Sequence, residues 1–237
     1  MQATSQAGWL SRGLSSSVGT KYLMAITGMF LFLFVVAHLI GNLALFRGQE
    51  ALNSYAAMLQ GLGPLLWVAR LGLLAVLVVH LRCALALTAK NRNARPVGYV
   101  SQQPIKSTFA SRTMLMSGLV ILLFVVYHLL HFTLGVVQAD NAKLVDAAGR
   151  HDVYSMVVLG FQSVPVALTY VAAMVLLGMH LTHGLQSLFQ SLGLTKPKYR
   201  GFITLAATSL TLLVVVGNIA LPMAVQMGII KLPGGAS

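Results

Sequence analysis

Six of the seven histidines, His38, His80, His128, His131, His180 and His183, stand inside long apolar stretches. Imidazole can bury itself neutral, so a single ring in such a place can be an interhelical hydrogen bond and nothing more. Here each of the first four stretches carries at least one and the fifth carries none, a distribution that points to shared ligation. The remaining histidine, His151, lies in a polar loop and reads as solvated. The lone cysteine, Cys83, excludes an intrachain disulfide, an iron–sulfur cluster and a C-x-x-C-H attachment site. What remains is imidazole chemistry: metal ligation or proton transfer inside an apolar medium.

The elements that position these rings follow from composition. Of 237 residues, 57% are hydrophobic and 8% charged, and the mean hydropathy is +0.81. A soluble domain carries roughly 25% charged residues. The apolar runs reach the about 20 residues that a helix needs to cross a hydrocarbon core, and they do not alternate as barrel strands do. The sequence therefore predicts an all-α integral membrane protein, a single membrane domain over residues 1–237, with spans at about 20–46, 64–89, 113–138, 155–187 and 203–229. The first four form the histidine-bearing bundle. The fourth is long, which predicts tilt or an extension past the interface, with Pro165 and Pro222 as kink sites in the fourth and fifth. The first twenty residues hold no apolar core of a signal peptide, so the first span is expected to serve as a retained targeting signal.

The net charge of +12 is a topology signal once the charges are placed. The N-terminal tail, segment 90–112 and segment 188–202 hold Arg12, Lys21, Lys90, Arg92, Arg95, Lys106, Arg112, Lys196, Lys198 and Arg200. The opposite loops hold Arg47, Lys143, Arg150 and Lys231, with all four acids, Glu50, Asp140, Asp146 and Asp152. The positive-inside rule puts the N-terminus in the cytoplasm and the C-terminus outside. The basic inner surface reads as ordinary topology bias and also as a docking face for an acidic partner, with no nucleic acid involved.

Depth sorts the rings. At 1.5 Å per residue, His38 lies about 27 Å in from Thr20 and His128 about 24 Å in from Arg112, both in the outer half. His80 lies about 15 Å from Lys90 on the inner side, and His180 precedes the basic segment 196–200. Two levels, each with two imidazoles from different helices, suit the axial coordination of haem iron. Zinc favours four gathered ligands with cysteine or carboxylate among them, and proton relays favour acids, which no span contains. The expectation is two non-covalent haem b groups stacked across the membrane.

An internal repeat selects between neighbours. M-A-I-T-G-M-F-L-F-L-F-V-V-A-H-L from Met24 aligns with M-L-M-S-G-L-V-I-L-L-F-V-V-Y-H-L from Met114, matching Met24 with Met114, Gly28 with Gly118 and His38 with His128. It favours His128 over His131, and a weaker match of H-L-R-C-A-L from His80 with H-L-T-H-G-L from His180 favours His180 over His183. His131 and His183 lie about 60° around their helices from these and read as hydrogen-bonding rings. Gly28, Gly41, Gly72, Gly118 and Gly184 lie on or near the histidine faces, giving close helix approach or room for a flat macrocycle. Lys21, Arg82, Lys90 and Arg112 are candidates for haem propionates, or ordinary snorkelling cations.

V-V-A-H-L-I-G-N at 35–42, F-R-G-Q-E-A-L-N-S-Y at 46–55, V-V-H-L at 78–81, T-A-K-N at 88–91, V-V-Y-H-L at 125–129 and M-H-L-T-H-G-L at 179–185 resemble the cytochrome b subunit of succinate dehydrogenase/fumarate reductase, most closely its single-chain, five-helix, dihaem (b558) class. The resemblance covers roughly residues 18–190, and the fifth helix adds hydropathy only. It implies His38 and His128 as ligands of an outer haem b and His80 and His180 as ligands of an inner one. It also implies a flavoprotein with FAD and an iron–sulfur subunit on the cytoplasmic face of a bacterial inner membrane, a complex able to form a higher oligomer, and exchange of electrons with quinone in the respiratory chain and tricarboxylic acid cycle. The dicarboxylate active site would lie in the partners. Some members carry an acid near the quinone where Gln60 stands here, and some a glutamate before the fourth ligand where Gly178 stands here. Both departures leave the proton route and the quinone-contacting residues open.

The runner-up is the cytochrome b subunit of a hydrogenase or formate dehydrogenase, whose partners generally lie outside. A different class again is a transporter or structural anchor, which the paired depths and acid-free spans disfavour.

Overall fold

The computed structural model describes Gly8 and residues 16–94 and 113–234. Arg12, Arg95, Lys106 and Arg112 lie outside the described residues. Seven helices of ten or more residues appear among them: α1 (Ser17–Asn42), α2 (Gln49–Gly61), α3 (Pro64–Asn93), α4 (Met114–His128), α5 (Val153–Gln162), α6 (Val164–Ser191) and α7 (Arg200–Gln226). Five of them, α1, α3, α4, α6 and α7 with their end turns, run 20 to 31 residues and are apolar enough to cross a membrane. In lipid every backbone polar group must be satisfied within the segment, which is why such stretches become helices. The chain is an all-α integral membrane protein.

Local chemistry sets the ends. Ser16 caps α1 by accepting from the Gly19 amide at 3.0 Å. Gly63, at φ +53°, turns the chain so that Pro64 can open α3, where a missing N–H costs nothing. A 3-10 turn, Leu43–Arg47, leads out of α1 into α2, a helix in a segment read only as a loop.

The fourth stretch departs from the single span expected over 155–187. It breaks at Ser163 into α5 and α6, because Pro165 lacks an amide and its ring would meet the carbonyl of Phe161. The carbonyls freed at the break are satisfied by the Gln226 amide of α7, which donates to Phe161 at 2.5 Å and Gln162 at 3.2 Å. α4 also departs from expectation. Its end widens into a π turn at Leu129–Thr133, closed by the Leu134 amide on the Leu129 carbonyl, so the helix ends short of 138. Pro222 is buried inside α7, which continues to Gln226.

α1 packs most closely on α3, and also on α6. α6 packs on α4 and α7, while α3 and α4 barely touch. The four histidine-bearing helices thus form a square, with α1 opposite α4 and α3 opposite α6. One end carries Lys21, Lys90 and Lys196 and is called the basic end; the other carries the four acids and is called the acidic end. An apolar core gathers at the acidic end, where Leu45, Leu52, Val158, Phe161, Leu221 and Val225 pack together.

Across that end α2 is clamped to the loop before α5. Asn53, fully buried, donates to Asp146 at 3.1 Å and to Asp152 at 2.9 Å, and accepts the Tyr154 amide at 2.9 Å. Arg150 ties Asp146 to Glu50, at 2.8 and 2.6 Å.

Candidate cofactor site

The square brings histidines together across its diagonals. The rings of His38 on α1 and His128 on α4 stand 5.7 Å apart, centre to centre, with planes at 87°. That spacing is of the order two imidazoles need to share one ion, given metal–nitrogen bonds of about 2 Å. At the other level, His80 on α3 and His180 on α6 lie near one another across the remaining diagonal.

Three of the four rings have Nδ1 engaged by a hydroxyl. Thr27 on α1 lies 3.1 Å from Nδ1 of His80, and Ser117 on α4 lies 3.2 Å from Nδ1 of His180. Both hydroxyls spend their own proton on a carbonyl one turn back: Thr27 donates to Leu23 at 2.8 Å and Ser117 to Met114 at 3.1 Å. With that proton on the carbonyl, each hydroxyl accepts from its imidazole, an arrangement that suits a ring with its proton on Nδ1 and a bare Nε2. That is the tautomer a metal-ligating histidine needs, oriented by an outer partner as such ligands generally are.

Glycines make these contacts possible. A Cβ on Gly28 would come within 3.3 Å of Cε1 of His80, and one on Gly118 within 3.4 Å of Cε1 of His180. The hydroxyl–glycine pairs Thr27–Gly28 and Ser117–Gly118 occupy matching places in the repeat and treat their histidines alike. Gly41 receives the Tyr55 ring of α2 instead of a histidine, while side chains added at Gly72 and Gly184 would meet no neighbour.

The acidic level is less regular. Nδ1 of His128 lies 3.3 Å from the hydroxyl of Tyr170, which also lies 3.1 Å from Nδ1 of His131. His131 is 2% exposed, and its Nε2 reaches the amide oxygen of Gln138 at 3.0 Å. His38 stacks on Phe34 at 5.5 Å and has no hydrogen-bond partner among the described residues.

The donor set fits haem. Imidazoles paired across opposed helices at two levels are the kind of donors a haem iron takes, and three of the four have Nδ1 engaged by a hydroxyl. Among the described residues no three His, Cys, Asp or Glu side chains gather as a zinc site would require. Lys21 and Arg82 are exposed and Lys90 half-buried, toward the basic end; Arg112 lies outside the described residues.

A family model described as succinate dehydrogenase/fumarate reductase transmembrane subunit matches residues 88–216. The chain belongs to that family. The match contains His128 and His180 and begins beyond His38 and His80; it runs well into α7, further than the motifs alone reached. No significant match came from the curated proteins or from the solved structures. As a member of that family, the chain is a membrane subunit of a succinate dehydrogenase or fumarate reductase complex.

Other candidates fall differently. His183 is half-buried, three residues past His180 on α6. His151, read as solvated, is half-buried, with Nε2 donating to the Ala142 carbonyl at 3.0 Å. Gln60 is exposed near the end of α2. A cavity of about 460 Å³ beside α1 and α2, lined by Ala37, Ile40, Gly41, Arg47, Ala51 and Tyr55 among others, contains no histidine. Gly178 is buried, and a Cβ there would come within 2.8 Å of Val215 on α7, so the glutamate some relatives carry has no room without a shift of that contact. Thr27, Ser117 and Tyr170 escaped the sequence reading. The T-G and S-G pairs at one register of the repeat were the available signal for the first two. Tyr170 offered only a polar-tipped ring in an apolar helix.

Proposed function

We propose that this chain is the dihaem cytochrome b membrane anchor of a succinate:quinone oxidoreductase, passing electrons between a cytoplasmic iron–sulfur subunit and membrane quinone. The observation that carries the reading is the pairing of four histidines across two diagonals of the bundle, at two depths. His38 and His128 would hold one haem b near the acidic end, and His80 and His180 the other near the basic end. Haem, when bound, supplies a one-electron carrier at each level.

The chain's own residues do the rest. Thr27 and Ser117 hold the two basic-end imidazoles in the ligating tautomer. Gly28 and Gly118 let those rings lie close against the neighbouring helix. Lys21, Arg82, Lys90 and Arg112 would meet the propionates of the basic-end haem, and Gln60 would lie in the quinone region. The basic end, facing the cytoplasm with the N-terminus, would carry the iron–sulfur and FAD-bearing flavoprotein subunits, its cations meeting acidic partner surfaces. The C-terminus would lie outside a bacterial cytoplasmic membrane.

The test is a dithionite-reduced minus oxidised spectrum of the chain purified from membranes. Two b-type components are expected, and absence of any b-type α-band overturns the reading. Co-purification of a covalent flavoprotein and an iron–sulfur protein is expected as well; a partner of hydrogenase or formate dehydrogenase type would replace this assignment.

A further inference from the structure

We propose that Tyr170 is a positioning residue that sets the basicity of His128, and that His131 and Gln138 hold it to that task. The inference rests on His128 being a haem ligand.

The direction of every hydrogen bond in the chain can be worked out from its far end. The amide oxygen of Gln138 accepts from the Asn141 side chain at 3.2 Å. That oxygen lies 3.0 Å from Nε2 of His131, so this nitrogen carries the proton. In a neutral ring Nδ1 is then the acceptor, and it takes the hydroxyl proton of Tyr170 at 3.1 Å. With its proton committed, the Tyr170 oxygen can only accept from Nδ1 of His128, at 3.3 Å. Nε2 of His128 is left bare. A reversed chain would put a proton on that nitrogen and remove it as a ligand.

The surroundings keep the chain rigid. Tyr170 is 7% exposed, and its ring meets Phe124 and Phe161 edge-on at 5.0 Å each. His131 lies flat against Phe132 at 3.9 Å. The π turn over Leu129–Thr133 carries His131 on the helix end that bears His128, and both rings reach the same hydroxyl. Gln138, at φ +54°, is the non-glycine with positive φ among the described residues, a conformation that costs energy and here accompanies the aim of its amide at His131.

A hydrogen bond from Nδ1–H makes an imidazole a stronger electron donor to its metal and favours the ferric state. Losing the acceptor should therefore raise the midpoint potential of the acidic-end haem. In the complex purified from membranes, Tyr170→Phe is expected to retain both haems. It should make the component that His128→Ala removes about tenfold easier to reduce, or 59 mV for one electron, with a shifted low-spin ferric signal. The other component should not move. Gln138→Gly, whose backbone suits positive φ, should shift the same component in the same direction by less, and should add nothing in the Tyr170→Phe background.

Unchanged potential and signal in Tyr170→Phe with both haems bound would overturn the proposal. If Tyr170→Phe loses the haem, Gln138→Gly decides: no shift sinks the proposal, an upward shift supports it. Failure of the underlying reading looks different, because His128→Ala would then remove no haem.

Discussion

At the basic end, His80 and His180 are held alike: each gives its Nδ1 proton to a hydroxyl on the neighbouring helix and lies against the glycine that follows that hydroxyl. At the acidic end, His128 enters a buried chain through Tyr170 and His131, whereas His38 stacks on Phe34 and has no hydrogen-bond partner among the described residues. Both levels stand on the same repeat, since Phe34 and Phe124 share a register as Thr27 and Ser117 do. The divergence begins one turn later, where Gly41 of α1 matches His131 of the π turn that ends α4. Gly41 admits Tyr55, and His131 recruits Tyr170 and Gln138. The repeat builds a symmetric frame for four imidazoles. The helices added at the acidic end, α2 and α5, then make its two halves unequal.

The hardest test of the two levels removes the ligands themselves. His38→Ala and His128→Ala should each abolish the same one of two b-type components in a reduced-minus-oxidised spectrum, and His80→Ala and His180→Ala the other. Should His38→Ala and His80→Ala delete one common component, the diagonal pairing is wrong. His131→Ala and His183→Ala should leave two haems bound, which pyridine haemochrome analysis per chain would count.

Next in size is the loss of the hydroxyl acceptors. Ligand-orienting partners of this kind are worth about 10–100-fold in metal affinity. Thr27→Val and Ser117→Ala should lower retention of the basic-end haem by about that factor in a competition with apomyoglobin, and by similar amounts, because the two contacts are equivalent. Thr27→Ser should restore most of it. An effect confined to the acidic-end component would break the symmetry claimed for the basic end.

Much of this frame was legible before any coordinates. Lipid as solvent forces helices and makes hydropathy a direct reading of them. A fixed rise per residue turns sequence position into depth, which paired His38 with His128 and His80 with His180 as levels. Hydropathy cannot register the contacts between helices. The break at Ser163 falls within an apolar run that reads as continuous, and the π turn at Leu129–Thr133 has no compositional mark. Tyr170 precedes His180 by ten residues on one helix, yet its hydroxyl serves His128 on another, which only the packing of α4 on α6 decides. The sequence marks His131 as a hydrogen-bonding ring, but that its two nitrogens meet the side chains of Tyr170 and Gln138 is decided by the fold.

A smaller effect separates the levels through stability. Asn53→Ala removes the partner of two carboxylates and one amide at the acidic end. Each buried group left unpaired costs about 1–3 kcal/mol. On heating, the His38–His128 component should be lost earlier than in the parent, with the His80–His180 component unchanged. Equal loss of both would mean that the clamp supports the whole bundle and not one end.

The smallest effect comes from pH. Hydrogen bonds from Arg150 and Ser54 hold the Glu50 carboxyl down to about 2. Burial pushes Asp146 upward, but bonds from Arg150 and Asn53 outweigh it and bring this carboxyl to about 2 as well. Both groups are depressed in the folded state, so what they contribute is fully present above their ordinary values near pH 4 and is lost as pH falls through about 2. Glu50 lies in the open, where ion pairs are weak, so the change should be local. Amide exchange in 146–150 should be flat from pH 7 to 4 after correction for intrinsic rates, then accelerate below 4. The basic-end component should keep its spectrum at the onset, because no acid lies at that end among the described residues. No acceleration down to pH 2 would show that the Arg150 clamp does not hold these carboxylates, and that the acidic end is tied down by its apolar core alone.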